Sequence, residues 1–280
     1  MTGGVQAVVA TALAEDLGEG GDATSAATVA ADACSPPRQV APAPGVVAGL
    51  DAAHAVFAAV DGAVGFTALV RDGDLVEAGA TLATVAGPTR AVLAGERTAL
   101  NLLSHLSGVA TATARYVAAV AGTGCVVRDT RKTLPGLRGL QKAAVAAGGG
   151  VNHRRSLGDG LLVKDNHVAA AGGVAAATRA ALDGARGRPV QVEVDDLDQL
   201  DRALAAGARA VLLDNFTLDA LHRGVARARR EPQPIFVEAS GAIDLATVRA
   251  VAKTGVDAVA VGALTHSAAA LDIGLDLDGA

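Results

Sequence analysis

Residues 190–215, VQVEVDDLDQLDRALAAGARAVLLDN, decide the fold that the sequence predicts. A short apolar run ends in Glu193, a segment of helical period follows at Leu197–Ala206, and a second apolar run ends in Asp214. Continuous apolar runs that alternate with helices are typical of parallel strands covered on both faces. The stretch therefore predicts a strand–helix–strand unit with a polar residue at the end of each strand.

The same unit repeats through the second half of the chain. Successive apolar runs end at Glu193, Asp214, Glu238 and Gly262, which are 21, 24 and 24 residues apart. Two earlier runs end in polar groups at Arg128-Asp129 and Lys164-Asp165-Asn166. This rhythm predicts an α/β barrel or a doubly wound sheet, and both folds place their chemistry at the carboxyl ends of the strands.

Residues 1–110 have a different pattern. A short acidic helix is predicted over Val5–Leu17, and strands over Gly65–Pro88 are separated by turns at Asp72-Gly73 and Ala78-Gly79. The segment RDGDLVEAGATLATVAG resembles a biotinyl or lipoyl carrier domain, but residues 1–131 contain no lysine to hold such a cofactor. A β-sandwich-like scaffold is predicted instead, followed by helical segments that are interrupted at Gly108.

Composition excludes several classes of protein. The 280 residues are 51% hydrophobic but only 2% aromatic, which predicts a core of Ala, Val and Leu. The net charge of −5 argues against a nucleic-acid-binding protein. The acidic N-terminal residues lack the basic start of a signal peptide, and no apolar stretch reaches the ~20 residues of a membrane span. A cytoplasmic protein with two buried free thiols, Cys34 and Cys125, is expected.

Positive charge is concentrated in one window. Residues 128–167 contain eight Lys and Arg against three Asp, a net charge of +5, so the remainder of the chain carries −10. Cations that alternate with Gly, Thr, Asn and His suit a pocket better than a solvated helix face. Since unpaired cations in a pocket are costly, a polyanionic ligand is expected there.

The predicted strand ends bring candidate site residues to one rim. The rim has a cationic side and an acidic side, and its members are Arg131, Lys132, His153, Arg154, Lys164, Glu193, Asp214, Glu238 and Ser240. Arg binds planar carboxylates and phosphates in a bidentate manner, whereas Lys acts as a point charge. Glu193 and Asp214 suit Mg²⁺ bound to phosphate oxygens, although they would also simply neutralise the neighbouring cations.

Two further segments suit a phosphate group. EASGAID contains Ser240-Gly241 and AVGALTHS contains Gly262-Ala263, each placing small residues at a strand end before a predicted helix. Backbone N–H groups at such a junction bind anions, and the last loops of α/β barrels often hold phosphate.

Motifs along nearly the whole chain resemble one family, the quinolinate phosphoribosyltransferases of NAD biosynthesis. The longest is RDTRKTLPGLRGLQKAAVAAGGGVNHR. In collinear order the others are DLGEGGDATSAATV, AGERTALNLLSHLSGVATATARYV, LLVKDNHV, VEVDDLDQL, LLDNF, VEASGAI and AVGALTHS. The resemblance implies conversion of quinolinate and phosphoribosyl pyrophosphate to nicotinate mononucleotide, pyrophosphate and CO2.

The family resemblance also implies the architecture. It predicts an N-terminal α/β sandwich domain over residues 1–107, joined by residues 268–280, and an incomplete six- or seven-stranded α/β barrel over 108–267. It further implies a homodimer in which Arg97 of one subunit reaches the substrate of the other, with higher assembly left open. No nucleic-acid or membrane partner is expected.

Residue roles are carried over motif by motif. Arg131, His153, Arg154 and Lys164 would grip the two carboxylates of quinolinate. Lys132, Glu193 and Asp214 would handle phosphoribosyl pyrophosphate and Mg²⁺, with Lys132, Lys164, Glu193 and Asp214 forming the catalytic set. The residues expected to hold the 5′-phosphate are Ser240, Gly241, Gly262 and Ala263.

Two residues are not explained by the family pattern, and three rival functions stay open. Arg155 stands where relatives usually have an apolar residue, and His167 lies near the rim without an assigned role. The rivals are a related phosphoribosyltransferase acting on another base, as in molybdenum-transport-associated homologues, a Schiff-base aldolase with Lys164 as nucleophile, and a non-catalytic carrier.

Overall fold

A computed structural model describes residues 2–35, 37–41 and 43–277. Pro36 of the proline-rich stretch and residues 278–280 of the predicted C-terminal extension lie outside the described residues. The chain forms two compact units. Unit 1 takes the described residues of Met1–Ala114, Thr133–Gly149 and Ala263–Ala280, and unit 2 consists of Arg115–Lys132 and Gly150–Gly262.

The secondary structure follows the chain in two runs. Up to residue 120 the elements are α1 (Thr2–Leu17), α2 (Ala23–Thr28), β1 (Cys34–Ser35), β2 (Pro37–Ala41), β3 (Gly45–Val46), α3 (Leu50–Val60), β4 (Gly65–Ala68), β5 (Leu75–Val76), β6 (Ala80–Pro88) and α4 (Thr89–Val120). From residue 126 they are β7 (Val126–Arg128), α5 (Arg138–Ala147), β8 (Leu161–Val163), α6 (Asp165–Ala170), α7 (Val174–Asp183), β9 (Val190–Val194), α8 (Leu197–Ala205), β10 (Ala210–Asp214), α9 (Leu218–Ala228), β11 (Phe236–Ser240), α10 (Val248–Ala252), β12 (Ala258–Ala260), α11 (Ala263–His266) and β13 (Gly274–Leu277).

Unit 1 contains an antiparallel sheet built around the long strand β6. Its order is β1-β6-β2-β13, and β4 also pairs with β6. The turns predicted at Gly73 and Gly79 are present, with φ values of 98° and 77°, which glycine adopts without a side-chain penalty. Helices accompany this sheet, so unit 1 is a mixed α/β structure.

Helix α4 corrects one expectation. The sequence predicts an interruption at Gly108, but the helix runs unbroken from Thr89 to Val120. Gly108 is needed for a close approach instead, because a Cβ there would overlap the carbonyl oxygen of Ala269 and lie 2.9 Å from the Cα of Ala270.

Unit 2 is the predicted incomplete α/β barrel. Within its described residues, six parallel strands pair in the order β7-β12-β11-β10-β9-β8. Strand β7 therefore joins the last strand, β12, while β7 and β8 do not pair. A single parallel bridge between Arg128 and Val151 lies beside β7 in this gap. The mixed α/β fold class is confirmed.

Two helices of unit 2, α8 and α9, begin at side chains that cap them. Asp196 accepts a hydrogen bond from the Gln199 N–H at 2.7 Å before α8, and Thr217 accepts one from the Ala220 N–H at 3.2 Å before α9. Such caps satisfy backbone donors that have no partner inside the helix. Behind each cap, an apolar face packs on the sheet, as Leu200 and Leu204 do in α8.

The core matches the composition. Its buried side chains are mostly Ala, Val and Leu, and Phe57 is the largest that is fully buried among the described residues. The expectation of two buried thiols is half right, since Cys125 is buried but Cys34 is exposed. None of the helices in the described part of the chain is both long and apolar enough to span a bilayer.

Replacing Gly108 tests the close approach to residues 269–270. We expect Gly108→Ala to lower the free energy of unfolding by about 3 kcal/mol, because overpacking forces the backbone apart. The matched control is Gly139→Ala in α5, where a Cβ meets nothing within 4 Å. That variant should be more stable by about 0.5–1 kcal/mol. Chemical denaturation of both variants measures the contrast, and equal stabilities would contradict it.

Thiol labelling tests the two cysteine environments. Burial raises the pKa of Cys125 to about 12, so its unreactive thiol form persists at neutral pH. Native protein should react with Ellman's reagent at Cys34 alone, and the Cys34→Ser variant should react only after denaturation. Rapid labelling of native Cys34→Ser would show that Cys125 is accessible.

Candidate active site

A cavity of about 370 Å³ opens at the carboxyl ends of the barrel strands. We call it the mouth cavity, and it is lined by Asp129, Thr130, Arg131, Lys132, His153, Arg154, Leu162, Lys164, Glu193, Leu212, Asp214, Glu238, Ser240 and Ala260. The strands and loops of unit 2 thus gather all nine candidate rim residues around one space. These nine are Arg131, Lys132, His153, Arg154, Lys164, Glu193, Asp214, Glu238 and Ser240.

Lys164 joins the cationic and acidic sides of the mouth cavity. It follows β8, and its Nζ lies 2.5 Å from Oε2 of Glu193 on β9. The backbone N–H of Lys164 donates to Nδ1 of His167 at 3.0 Å at the start of α6. The His167 side chain is exposed and is not among the residues that line the mouth cavity. Its contact with Lys164 is this hydrogen bond from the backbone.

The charged guanidinium of Arg154 lies in an unfavourable environment. Burial, together with the positive charge of Arg131, lowers the pKa of Arg154. Its Nη1 donates to the carbonyl of Gly160 at 2.8 Å, while its buried Nε has no hydrogen-bond acceptor among the described residues. Two crowded guanidinium groups with an unsatisfied donor favour a ligand that carries negative charge.

The loop after Arg154 is held by a carboxylate. Asp159 accepts hydrogen bonds from the backbone N–H groups of Arg155 and Ser156 at 2.8 and 2.9 Å, and from the Ser156 hydroxyl at 2.6 Å. These bonds, the Ser156 hydroxyl first, lower the pKa of Asp159. The Arg155 side chain is exposed.

His153 is fixed at its backbone and its ring. Its N–H donates to Oδ1 of the buried Asp129 at 2.8 Å. Its Nε2 lies 3.2 Å from Oε1 of Gln191 on β9. The ring that the sequence predicts as a carboxylate ligand is therefore oriented from inside the barrel.

Glu238 occupies a different level from the one its sequence spacing suggests. Asp214 is in register with Ser240 rather than with Glu238, so Glu238 lies two residues deeper on β11. Its side chain is 1% exposed, and its Oε2 accepts from Nη1 of Arg128 at 2.8 Å and from Nε2 of Gln191 at 2.7 Å. Burial raises the pKa of Glu238, and Arg128 and Gln191 oppose that rise.

A polar layer therefore forms the floor of the mouth cavity. Below it, a second cavity of about 620 Å³ lies at the amino ends of the strands, and Arg128, Gln191 and Phe236 are among its lining residues. The Arg128 guanidinium lies 5.4 Å from the centre of the Phe236 ring. His153 and Arg154 line both cavities and so belong to the boundary between them.

The two predicted phosphate segments differ from each other. Gly262 leads directly into α11 at Ala263, as expected, but Ser240-Gly241 enters a turn, and α10 begins only at Val248. Gly241 has a φ of 104°, and a Cβ there would overlap Oδ1 of Asn215. The tight turn thus requires glycine at position 241.

Arg97 belongs to a different compact unit from these residues. It is exposed on α4 and belongs to unit 1, whereas the lining of the mouth cavity belongs to unit 2. Two histidines of unit 1 make packing or hydrogen-bonding contacts, since His54 stacks on Phe66 and His105 contacts Gln141 at 2.9 Å.

The described residues contain no group of three or more His, Cys, Asp and Glu side chains that could hold a metal ion. Glu193 and Asp214 nevertheless both line the mouth cavity. Mg²⁺ commonly takes one or two carboxylates and completes its shell with water and substrate phosphate. These two side chains fit that mode of binding and not an all-protein cage.

The polar floor of Arg128, Gln191 and Glu238 was not predicted from the sequence as a unit. A period-two pattern contains the signal, because Gln191 precedes Glu193 by two residues and Glu238 precedes Ser240 by two. Alternate residues of a strand share a face, so a second inward layer lies beneath the rim.

Comparisons with known proteins agree with this geometry. Residues 19–107 match the N-terminal domain of quinolinate phosphoribosyl transferase, and residues 109–276 match the C-terminal domain. The chain is 50% identical over 268 residues to the carboxylating nicotinate-nucleotide pyrophosphorylase of Mycobacterium leprae, covering 95% of this chain and 94% of the relative. A probable enzyme of the same name from Bacillus subtilis is 40% identical over 264 residues, or 94% and 90% of the two chains.

Solved structures give the same result. The nicotinate-nucleotide pyrophosphorylase of Francisella tularensis superposes with a TM-score of 0.93 at 37% identity, covering 99% of this chain and 97% of that one. The corresponding protein of Ehrlichia chaffeensis gives 0.92 at 32% identity, covering 97% and 98%. With both domains and the full architecture matched, the chain belongs to the quinolinate phosphoribosyltransferase family.

Proposed function

We propose that the mouth cavity binds quinolinate beside phosphoribosyl pyrophosphate and converts them to nicotinate mononucleotide, pyrophosphate and CO2. The observation that carries this assignment is the convergence of five cationic or imidazole side chains and four carboxylates on one space of about 370 Å³. Such a set suits a dianionic ring on one side and a phosphorylated sugar with a divalent cation on the other.

Quinolinate is assigned to the cationic side. Arg131, His153, Arg154 and Lys164 hold its two carboxylates and so aim the pyridine nitrogen at the sugar. Burial, followed by the positive charge of Arg131, lowers the pKa of Arg154, and this supports the assignment because a dianion stabilises both guanidinium groups. On binding, the ammonium of Lys164 exchanges part of its contact with Glu193 for a substrate carboxylate.

Phosphoribosyl pyrophosphate is assigned to the acidic side. Glu193 and Asp214 would hold Mg²⁺ largely through substrate oxygens and water, and Lys132 would contact the pyrophosphate. A bound metal would neutralise charge on the departing pyrophosphate. Ser240 with Gly241, and Gly262 with Ala263, would receive the 5′-phosphate through their backbone N–H groups.

The chemistry then depends on positioning and charge. As the bond from the sugar carbon to pyrophosphate breaks, the carbon gains oxocarbenium character and the pyridine nitrogen attacks it. The ring nitrogen becomes positively charged, so the adjacent 2-carboxylate leaves as CO2 and its bonding electrons remain on the ring carbon. That carbon takes up a proton from solvent. The cations beside the ring stabilise this negative charge, and no covalent enzyme intermediate forms.

We also propose a homodimer in which Arg97 completes the site of the partner subunit. Its exposure on α4, outside the unit that contains the mouth cavity, is compatible with a role toward another chain. The domain division into 1–107 with 268–280 and 108–267 stays a prediction beside the compact units described above.

An assay of the purified protein tests the assigned reaction. With quinolinate, phosphoribosyl pyrophosphate and Mg²⁺, we expect equal amounts of CO2 and nicotinate mononucleotide. Nicotinate lacks the 2-carboxylate, and sites built to bind a polar group reject analogues without it by about 10⁴-fold. Product formation from nicotinate at a comparable rate would overturn the substrate assignment.

Mixed dimers test the shared site. Arg97→Ala and Arg131→Ala should each be inactive as pure dimers. In a mixed dimer, one site regains both arginines and the other loses both, so purified heterodimers should recover about half of the wild-type activity. Differentially tagged subunits allow the heterodimer to be isolated. Absence of activity in verified heterodimers would place Arg97 and Arg131 in the same subunit's site.

A further inference from the structure

Asn215 contacts two parts of the site that the roles above treat separately. It follows Asp214 at the end of β10, within the LLDNF motif, and it has no role in either the acidic side or the phosphate segments. It is not among the residues that line the mouth cavity, and it lines another cavity of about 540 Å³. Its effect on a ligand in the mouth cavity therefore passes through the residues that it contacts.

The side chain of Asn215 holds the carboxylate of Asp214. Its Nδ2 donates to Oδ2 of Asp214 at 2.7 Å. A hydrogen bond to a charged acceptor is stronger than one between neutral groups, and it also restricts the direction of the carboxylate. The bond therefore favours one orientation of the Asp214 side chain, in which it lines the mouth cavity.

The same residue contacts the turn that follows β11. Its backbone N–H donates to the carbonyl of Ser240 at 2.9 Å, one position beyond the paired residues Asp214 and Ser240. Its Oδ1 lies beside Gly241, where an added Cβ would be 2.1 Å from that oxygen. A single amide group thus extends from the Asp214 carboxylate to the backbone of Gly241.

The backbone conformation on both sides of this contact is unusual. Asn215 has a φ of 55°, a left-handed conformation that asparagine adopts more readily than most residues. In the turn, Gly241 has a φ of 104° and Ala242 a φ of 38°, and alanine is strained in the left-handed region. Strained backbone persists only where the surrounding structure holds it, and Asn215 is one of the residues that hold this turn.

We propose that Asn215 is a positioning residue that fixes the Asp214 carboxylate and the Ser240-Gly241 turn at the separation that phosphoribosyl pyrophosphate requires. The inference rests on the proposed function, in which Asp214 meets the pyrophosphate through Mg²⁺ and the turn meets the 5′-phosphate. Both phosphate groups are attached to one ribose, so their binding sites must be held at a matching distance. A change in that distance would misalign the sugar carbon with the pyridine nitrogen.

Asn215→Gly is the direct test, because glycine keeps the left-handed backbone and its N–H but removes the amide. Calorimetry without quinolinate measures binding of phosphoribosyl pyrophosphate with Mg²⁺, and of ribose 5-phosphate with a chelator. Both dissociation constants should rise, the first about tenfold, equivalent to about 1.4 kcal/mol, and the second about threefold. In the steady-state assay, the KM for phosphoribosyl pyrophosphate should rise about tenfold, while the KM for quinolinate stays within about twofold.

Arg186→Gly is the matched control for the change in backbone. Arg186 is exposed and has a φ of 49°, so this variant also replaces a left-handed residue by glycine, at a position outside the assigned site. Both dissociation constants and both KM values should be unchanged.

A double variant tests the contact with the turn. Gly241→Ala places a Cβ against Oδ1 of Asn215 and should weaken the binding of ribose 5-phosphate. Adding Asn215→Gly removes the overlap with the amide, although the Cβ still lies 2.8 Å from the backbone nitrogen of position 215. The double variant should therefore bind ribose 5-phosphate more tightly than Gly241→Ala alone. A loss equal to the product of the two single losses would contradict the contact.

The outcomes separate this inference from the assigned function. Unchanged binding of phosphoribosyl pyrophosphate in Asn215→Gly overturns the positioning role. A loss confined to phosphoribosyl pyrophosphate, with the binding of ribose 5-phosphate unaffected, overturns the link to the turn. A protein that shows both predicted losses of binding but does not turn over quinolinate would contradict the proposed function alone.

Discussion

The parallel register of the unit 2 strands is the constraint on which the site depends. Parallel strands direct their carboxyl ends to one rim, and alternate residues on each strand point to the same face. Closing such a sheet into a barrel also requires strands that tilt and stagger. The stagger places Glu193 beside Leu212 and Asp214 beside Ser240, so inward residues form levels that a count of sequence spacing does not reveal.

Two sets of polar side chains result, an upper level and a lower level, and they differ in burial. By the upper level we mean the partly exposed side chains of Lys164, Glu193 and Asp214 at the mouth cavity, which a ligand can reach. The lower level, with Glu238 and Gln191, is buried and hydrogen-bonded. A buried carboxylate that loses its partners is strongly destabilising, so the lower level remains fixed while the upper level rearranges.

Sequence reasoning brought the rim residues together but did not predict the buried network beneath them. Abrupt changes from apolar to polar residues mark a strand end, and this signal placed Arg131, Lys164 and Glu238 around one cavity. The burial of Glu238 and its bonds to Arg128 and Gln191 were not predicted, since they depend on pairing between strands and not on distance along the chain. The predicted helix interruption at Gly108 was wrong for a related reason. Glycine on its own weakens a helix, but here the close approach of residues 269–270 requires it.

The scarcity of aromatic residues explains why a fixed lower level matters. None of the described residues that line the mouth cavity is Phe, Tyr or Trp, and His153 supplies the ring among them. A planar substrate therefore finds little surface on which to stack, and its orientation must come from the direction of charge-assisted hydrogen bonds. Such bonds orient a ligand only when their donors are themselves held in place. Gln191 meets that requirement at the His153 ring and Asp129 at the His153 backbone, and the Gly160 carbonyl does so for Arg154.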